Sequence, residues 1–384
     1  MVVGAKRVEM IDDPERFKEI REDWNALLAR SASNSLTLTW EWLSCWWQAY
    51  GAERRLRIIA IWDGSTLAGA APLLARCKTH RYYGVLPFKR MELLASGESF
   101  GDEVCSDYIG WIAAAGQEAE IVDIAFEYLT TELAREWQEI LLPDVNGESP
   151  TLLALESACR RRGLVLETIT RESSPYIKLP ATWDDYLAGV SSSFRYKLRR
   201  GRRDFEQSGG KYRVAESAQD IAELFPILVG LHQARWNARG LPGAFVSKPR
   251  NRFHELILPL ALQHGWLRLG VLTLPGGPIG AIYSFRYAGR VYFYQSGIAP
   301  QDSSHMRPGT LLHSYEIEAA IGAGCTEYDF LKQGGPDYKD DWANATHDLV
   351  CTRIGRPGLH DQALRAARFA TGGLRRMKRR FTAK

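Results

Sequence analysis

Leu56-Arg57-Ile58-Ile59-Ala60-Ile61-Trp62, the turn Asp63-Gly64 and then Leu67-Ala68-Gly69-Ala70 have a counterpart much later in the chain. There Leu267-Arg268 opens an apolar run, Pro275-Gly276-Gly277-Pro278 turns, and Ile279-Gly280-Ala281 follows. Apolar alternation on both sides of a glycine turn is the pattern of an antiparallel hairpin. The spacing is 211 positions before the turn and 212 after it, so one extra residue is expected in the second turn. A repeat at that distance predicts two copies of one fold within the 384 residues. Length agrees, because such a chain divides into cores of roughly 150–200 residues.

The second hairpin extends into a meander. Strands are expected at 266–274, 279–287 and 291–296, joined by connections too short for a crossover helix and therefore antiparallel. Pro308-Gly309 then opens a helix through Leu312, Tyr315, Ala319 and Ile321, which stops at Gly322-Ala323-Gly324 before a strand at 326–331. Upstream, helical spacing covers 183–205 and 250–263, and Ser217-x-x-Asp220 reads as a capping box for a helix through Leu224, Leu228 and Leu231. In the first copy, Asp13-Pro14 opens a helix through Phe17, Ile20 and Trp24. A second helix is expected at 39–50, with further helices at 118–131 and 150–162 around a strand at 139–142. The stretch Arg171–Trp183 carries two prolines and little helical periodicity, which places the domain crossing there. Domains are expected at 1–175 and 176–355, with a basic tail at 356–384.

Hydrophobic residues at 45% and charged residues at 24% describe a globular chain. Twelve tryptophans and sixteen tyrosines fill cores or line grooves for sugars, peptides or acyl chains. A net charge of +4 excludes a general electrostatic trap for nucleic acid. The six cysteines lie apart without a C-x-x-C pair, so neither a metal site nor a disulfide framework is expected. The acidic N-terminus lacks the apolar core of a signal peptide and no run is long enough to span a membrane, so a cytoplasmic protein is expected.

Chemistry concentrates in the second copy. Arg307-Pro308-Gly309-Thr310 joins a strand to a helix start, where unpaired N–H groups and a partial positive charge suit a phosphate. His232 is the obvious base by its ordinary pKa, or else a packed core histidine. Asp329 faces away from Tyr328 and Phe330 on its strand, near Lys332 and Lys339, and either orients an acceptor or holds a loop. Tyr294 and Gln295 point to opposite faces of theirs. Arg195, Lys197, Arg199, Arg200, Arg202 and Arg203 crowd one helix, which calls for anions nearby or a solvated face. The tail holds Arg365, Arg368, Arg375, Arg376, Lys378, Arg379 and Arg380 among apolar residues and suits either an anionic membrane surface or solvent.

These motifs have a family pattern. It begins with Phe194-Arg195-x-Lys197-Leu198-Arg199-Arg200 and His232-x-x-Arg235-Trp236-x-x-x-Gly240. It continues with Tyr292-x-Tyr294-Gln295-x-Gly297 and Pro308-Gly309-x-Leu311-Leu312, and ends with Tyr328-Asp329-Phe330-Leu331 and Tyr338-Lys339-x-x-Trp342. In order and spacing the second half resembles the GNAT-like acetyltransferase domain of CelD-type, BioF-associated proteins, a branch related to the FemAB peptidyltransferases. Gln333–Asp337 is longer than the short glycine-acidic turn the family carries before its Tyr-Lys pair. The resemblance implies an α/β (α+β) fold of tandem GNAT-like domains, each a mixed twisted sheet flanked by helices.

It also implies acyl transfer from acyl-CoA to an amine or hydroxyl, without a metal, in cell-envelope or exopolysaccharide synthesis. Catalytic roles fall to His232, Asp329 and Lys339, and CoA contacts to Gln295, Arg307, Gly309 and Thr310. Acceptor contacts fall to Arg235, Trp236, Tyr294, Tyr338 and Trp342. Two other functions fit the same residues. One is aminoacyl-tRNA-dependent peptidyl transfer, favoured by the basic helix. The other is a non-catalytic scaffold on a degenerate fold.

Overall fold

The computed structural model describes residues 1–3, 6–77, 80–82, 86–299, 307–332, 338–359, 361–363 and 365–366. They form two compact units. The first gathers Met1–Gly97, Tyr108–Arg171 and the described residues from Val350 on; the second gathers Glu98–Asp107 and Glu172–Leu349. The loop Gln333–Asp337 and most of the basic tail lie outside the described residues.

In the first unit β1 (Lys6–Ile11) precedes α1 (Pro14–Glu19), α2 (Arg21–Ala29) and α3 (Trp40–Tyr50). The Asp13 carboxylate caps α1 by accepting from the Glu15 N–H at 3.1 Å. Next come β2 (Arg54–Asp63), β3 (Thr66–Arg76), β4 (Arg90–Leu93) and β5 (Ile112–Ala113). The unit continues through α4 (Glu118–Thr130), β6 (Glu139–Asn146), α5 (Pro150–Arg161) and the start of β7 (Val165–Lys178). Its tryptophans are core: Trp24, Trp42, Trp46, Trp111 and Trp137 are buried.

The second unit carries α6 (Trp183–Gly189), α7 (Ser192–Gln207), β8 (Lys211–Val214), α8 (Ala218–Asn237) and α9 (Lys248–Gln263). Then follow β9 (Leu267–Leu274), β10 (Gly277–Tyr287), β11 (Arg290–Ile298), α10 (Pro308–Gly322), β12 (Glu327–Asp329) and β13 (Ala345–Gly355). The helix expected over 183–205 is two helices, because Ser191 turns out of helical geometry and caps a new one through the Phe194 N–H.

Both units repeat one topology. In the first, β1-β2-β3-β4 are adjacent in that order and β4 pairs parallel with β6, across the helix α4. In the second, β8-β9-β10-β11 do the same, and β11 pairs parallel with β12 across α10. The hairpins agree residue for residue: Ile61 pairs with Gly69 as Leu272 pairs with Gly280, and each ladder is interrupted by a bulge at the very next pair. The spacing is therefore 211 on both sides of the turn, and no extra residue lies in the second one. The sequence comparison, which pairs Gly69 with Ala281, is one position off after the turn, and both hairpins carry the same bulge.

Each unit also takes a strand from the other half of the sequence. Residues Tyr176–Lys178 of β7 pair antiparallel with β12 in the second unit. The end of β13 from Val350 belongs to the first unit, where β13 neighbours β6. The crossing expected at 175–176 thus falls inside a strand, and Pro175 accepts the Phe330 N–H through its carbonyl while lacking a donor of its own.

Candidate active site

The site begins with two glycines. Gly280 pairs with Ile298 and Ala281 with Gly297, so Gly280 and Gly297 face opposite sides of the sheet. A side chain at Gly280 would stand 3.1 Å from Leu312 and 3.2 Å from Pro308, so α10 lies close on that side. One at Gly297 would meet the His232 nitrogen at 2.7 Å and the Leu228 carbonyl at 2.8 Å, so α8 lies closer still on the other.

The sheet opens between them. Parallel pairing of β11 with β12 ends at Tyr292 and Asp329, while β11 continues to Ile298 along β10. Where that pairing ends, β11 carries a bulge: Tyr283 pairs with Gln295 and Ser284 with Phe293, leaving Tyr294 as the extra residue. A bulge re-aims backbone groups out of the ladder.

A cleft of about 440 Å³ occupies the α10 side. The sheet contributes Ile282, Ser296 and Ile298, the end of α8 contributes Arg235, Ala238 and Arg239, and α10 contributes Arg307 to Thr310, Leu312 and His313; Tyr338 closes the lining. Arg307 adopts a left-handed φ of 48° and makes no side-chain cap of its own. Pro308 has no N–H, and the Thr310 N–H returns to the Arg307 carbonyl at 2.8 Å. Among the described residues the Gly309 N–H has no backbone acceptor. No acidic residue occupies the first turn. Three arginines and the N-terminus of α10 therefore share one cleft with apolar side chains.

The structure sorts the sequence-derived candidates. Arg235, Arg307, Gly309, Thr310 and Tyr338 line this one cleft. His232 is buried on α8 against Phe245, ring centroids 5.0 Å apart, with Nδ1 3.2 Å from Gln233 Oε1. Burial holds its pKa below the ordinary histidine value, opposed by hydrogen bonds with Gln233 and Gln295. Trp236 stands beside it at 5.9 Å between ring centroids. Tyr294 is buried and donates to the Val104 carbonyl at 2.7 Å. Asp329 is fully buried and accepts from Ser174 Oγ at 3.0 Å and the Leu331 N–H at 2.7 Å, where Leu331 has a left-handed φ of 58°. Lys339 Nζ donates to the Phe330 carbonyl at 2.9 Å. Trp342 packs in the core, edge-on to Phe194 at 4.8 Å.

The basic helix is divided as well. Arg202 lies between Trp183 and Tyr315 and pairs with Glu318 at 2.6 Å, which makes it part of the packing; Lys197, Arg199, Arg200 and Arg203 are exposed.

Sequence reasoning passed over His313. It lies four residues after Gly309, one helical turn on, and that spacing is the signal that puts it on the cleft face. His313 is buried, with Nδ1 2.9 Å from the Tyr328 hydroxyl and Nε2 3.3 Å from the Tyr338 hydroxyl. Burial, with a contribution from Lys339, pushes its pKa down to about 3. Also unforeseen was Glu98–Asp107, a first-half segment within the second unit. Besides Val104, it supplies the Asp107 carboxylate that accepts the Lys332 N–H at 2.7 Å.

Residues 192–340 match the family model described as an acetyltransferase (GNAT) domain. This segment is a GNAT acetyltransferase domain. Among curated proteins none matches the chain in sequence. Among solved structures, FemX is similar over 91% of this chain and 96% of its own, at 11% identity and a TM-score of 0.60. A protein of unknown function from Bacteroides thetaiotaomicron VPI-5482 is similar over 91% of this chain and all of its own (100%), at 10% identity and a TM-score of 0.54. The C-terminal domain of a putative lysylphosphatidylglycerol synthetase from Agrobacterium fabrum aligns over 91% and 95% of the two chains, at 10% identity and a TM-score of 0.50. These likenesses concern the fold, and they cover 91% of the chain. No helix among the described residues is long and apolar enough to cross a membrane.

Proposed function

We propose that the chain transfers an acyl group from acyl-CoA to an amine or hydroxyl acceptor at the cleft of the second unit. One observation carries this reading: Arg235, Arg239, Arg307 and Gly309 line one cleft together with the apolar Ile282, Ile298 and Leu312. A diphosphate suits the cationic end, through charge-assisted hydrogen bonds, and a narrow, largely apolar arm suits the rest. The thioester carbonyl would lie at the Tyr294 bulge, where N–H groups turned out of the ladder stabilise an oxyanion. Tyr338, whose hydroxyl reaches the cleft, is the acid for the departing sulfur. His232, kept neutral by burial, is the candidate base. Asp329 and Lys339 act by holding the turn after β12. Gln295, Trp236 and Tyr294 shape the other side of β11, and Trp342 supports His313 from the core. No metal is needed for this chemistry. An acceptor from cell-envelope or exopolysaccharide synthesis is part of the proposal, as is contact of the basic tail with an anionic membrane.

The test is calorimetry of the whole chain with acetyl-CoA, followed by release of CoA thiol in the presence of an amine panel. Binding with thiol release supports the reading. A second reading, transfer from an aminoacyl-tRNA, is favoured by the exposed cations of α7. Indifference to CoA with salt-sensitive tRNA binding would replace the first reading by the second. Binding of neither would leave a scaffold.

A further inference from the structure

The cleft holds more positive charge than the donor's diphosphate requires. Arg307 stands at the start of α10 beside the helix N-terminus. A diphosphate in ester linkage, with one negative charge on each phosphorus, finds a cation and helix amides there. Arg235 and Arg239 come from a different element. They lie four residues apart on α8, so they share one face of that helix, and both line the cleft. The lining holds no carboxylate, and neither arginine has an ion pair among the described residues. Arg239 is exposed, whereas Arg235 is half-buried. A guanidinium drawn partly out of water without a counter-charge costs stability, which a ligand's anion offsets.

Position along α8 indicates which ligand brings that anion. Arg235 follows His232, the candidate base, by three residues and so lies on the same side of the helix. It stands close enough to add, with Arg250, to the lowering that burial imposes on the His232 pKa. Arg239 lies one turn beyond. An acceptor whose nitrogen is served by His232 therefore meets cations about 5–10 Å further along the helix.

We propose that Arg235 and Arg239 form an acceptor subsite, and that the acceptor is an amine carrying its own carboxylate or phosphate about 5–10 Å from the nucleophilic nitrogen. The proposal rests on the CoA reading above, including His232 as base. Arg307 and the α10 N-terminus keep the donor's diphosphate, so donor and acceptor are gripped from different walls of one cleft. A free α-amino acid is too short for this arrangement, because its carboxylate is separated from the nitrogen by a single carbon. A longer amino acid or an amino-sugar phosphate is long enough. Neutral amines suit the chemistry but forgo the charge-assisted hydrogen bonds of the two guanidinium groups.

The experiment uses the full chain with acetyl-CoA and two acceptors, 6-aminohexanoate and hexylamine, whose amines both titrate near the lysine value of about 10.4. Only the first carries a carboxylate, about six bonds from its nitrogen and so within the expected span. Release of CoA thiol should show kcat/KM about tenfold to a hundredfold higher for 6-aminohexanoate, carried by KM. Arg235→Gln combined with Arg239→Gln should bring the ratio between the two acceptors to about one, and the paired Lys substitutions should keep most of it. By calorimetry the Gln variant should bind acetyl-CoA and its analogue without the ribose phosphate with affinities reduced by one common factor. An unaltered chain that binds acetyl-CoA yet favours neither amine, or acetylates neither, overturns the proposal alone. A preference that survives the Gln substitutions places the acceptor's anion elsewhere and overturns it too. Selective loss of affinity for acetyl-CoA over the analogue gives these arginines to the donor, with the same result. Failure of the unaltered chain to bind acetyl-CoA removes the CoA reading itself, and the subsite with it.

Discussion

The two copies share a hairpin to the residue and differ at the fourth strand and the helix after it. In the second unit β11 runs unbroken to Ile298, and α10 starts with Arg307 beside it and no acid in its first turn. In the first unit the equivalent strand is cut into β4 and β5 by the intervening residues Leu94–Trp111. Its helix α4 places Glu118 and Glu120 in the first turn, and Glu120 pairs with Lys6 at 2.8 Å. Just before it, the Ala115 N–H donates to the Arg30 carbonyl at 3.0 Å. An acidic first turn repels an anion from that helix end. The two units share a scaffold, and the proposed anion site belongs to the second alone.

The largest effect should come from setting the two helix starts against each other. Acetyl-CoA is expected to bind once per chain. Arg307→Ala combined with Gly309→Val should weaken it at least a hundredfold, through a lost charge-assisted contact and a side chain at the point of closest approach. The mirrored double substitution Glu118→Ala and Glu120→Ala in the first unit should leave affinity unchanged. Two sites per chain, or equal losses from the two double variants, would break the contrast.

Acid sensitivity should divide the copies next. His254 and His313 are buried in the second unit, each with its pKa pushed down to about 3 by burial first of all. Neither ring nitrogen of His254 has a hydrogen-bond partner among the described residues. In the unfolded chain histidine titrates near 6.5. Between about pH 6.5 and 3 the unfolded state therefore binds more protons, and stability falls as pH falls through that window. Each histidine contributes about 1 kcal/mol per pH unit there. Denaturant titrations at pH 7 and pH 5 should show the loss in the second unit, and His254→Phe should reduce it by about half. A pH-independent second unit would show that these rings gain partners or protons in the native state.

How far this was visible in the sequence depended on the range of the determinants. The hairpins, Asp13 and Ser217 as caps, and the start of α10 at Pro308 are local, and each declares itself within a few residues. Strands β1, β5, β7, β8 and β13 were not foreseen, because their pairing partners lie in distant sequence and Pro175 argues locally against β7. The cationic end of the cleft was legible at Arg307 and Gly309. Arg239 was not, since only the packing of α8 onto β10 and β11 brings it there, and His313 declares itself only through its one-turn spacing from Gly309. Asp329 and Trp342 stand out in a motif, and the structure buries both, Asp329 against the Leu331 N–H and Trp342 in the core.

Glycines under the helices offer a finer comparison. At Gly297 an added methyl meets backbone of α8, which cannot rotate away, so Gly297→Ala should cost about 1–3 kcal/mol of stability as overpacking. Gly69 and Gly280 are equivalent by hairpin register, yet their surroundings differ. A methyl at Gly69 would lie 2.2 Å from Cγ2 of Ile121 on α4, whereas at Gly280 it would lie 3.1 Å from a terminal methyl of Leu312. Gly69→Ala should therefore cost about 1–2 kcal/mol, and less in an Ile121→Ala background, which lacks the obstructing Cγ2. Gly280→Ala should cost under about 1 kcal/mol, yet it presses on Pro308 and Leu312 at the cleft and should weaken acetyl-CoA binding severalfold. Thermal melts and calorimetry on the two variants separate these outcomes. If Gly69→Ala alters acetyl-CoA affinity as much as Gly280→Ala does, helix spacing in the first copy reaches the chemistry, and the division of labour between the copies is wrong.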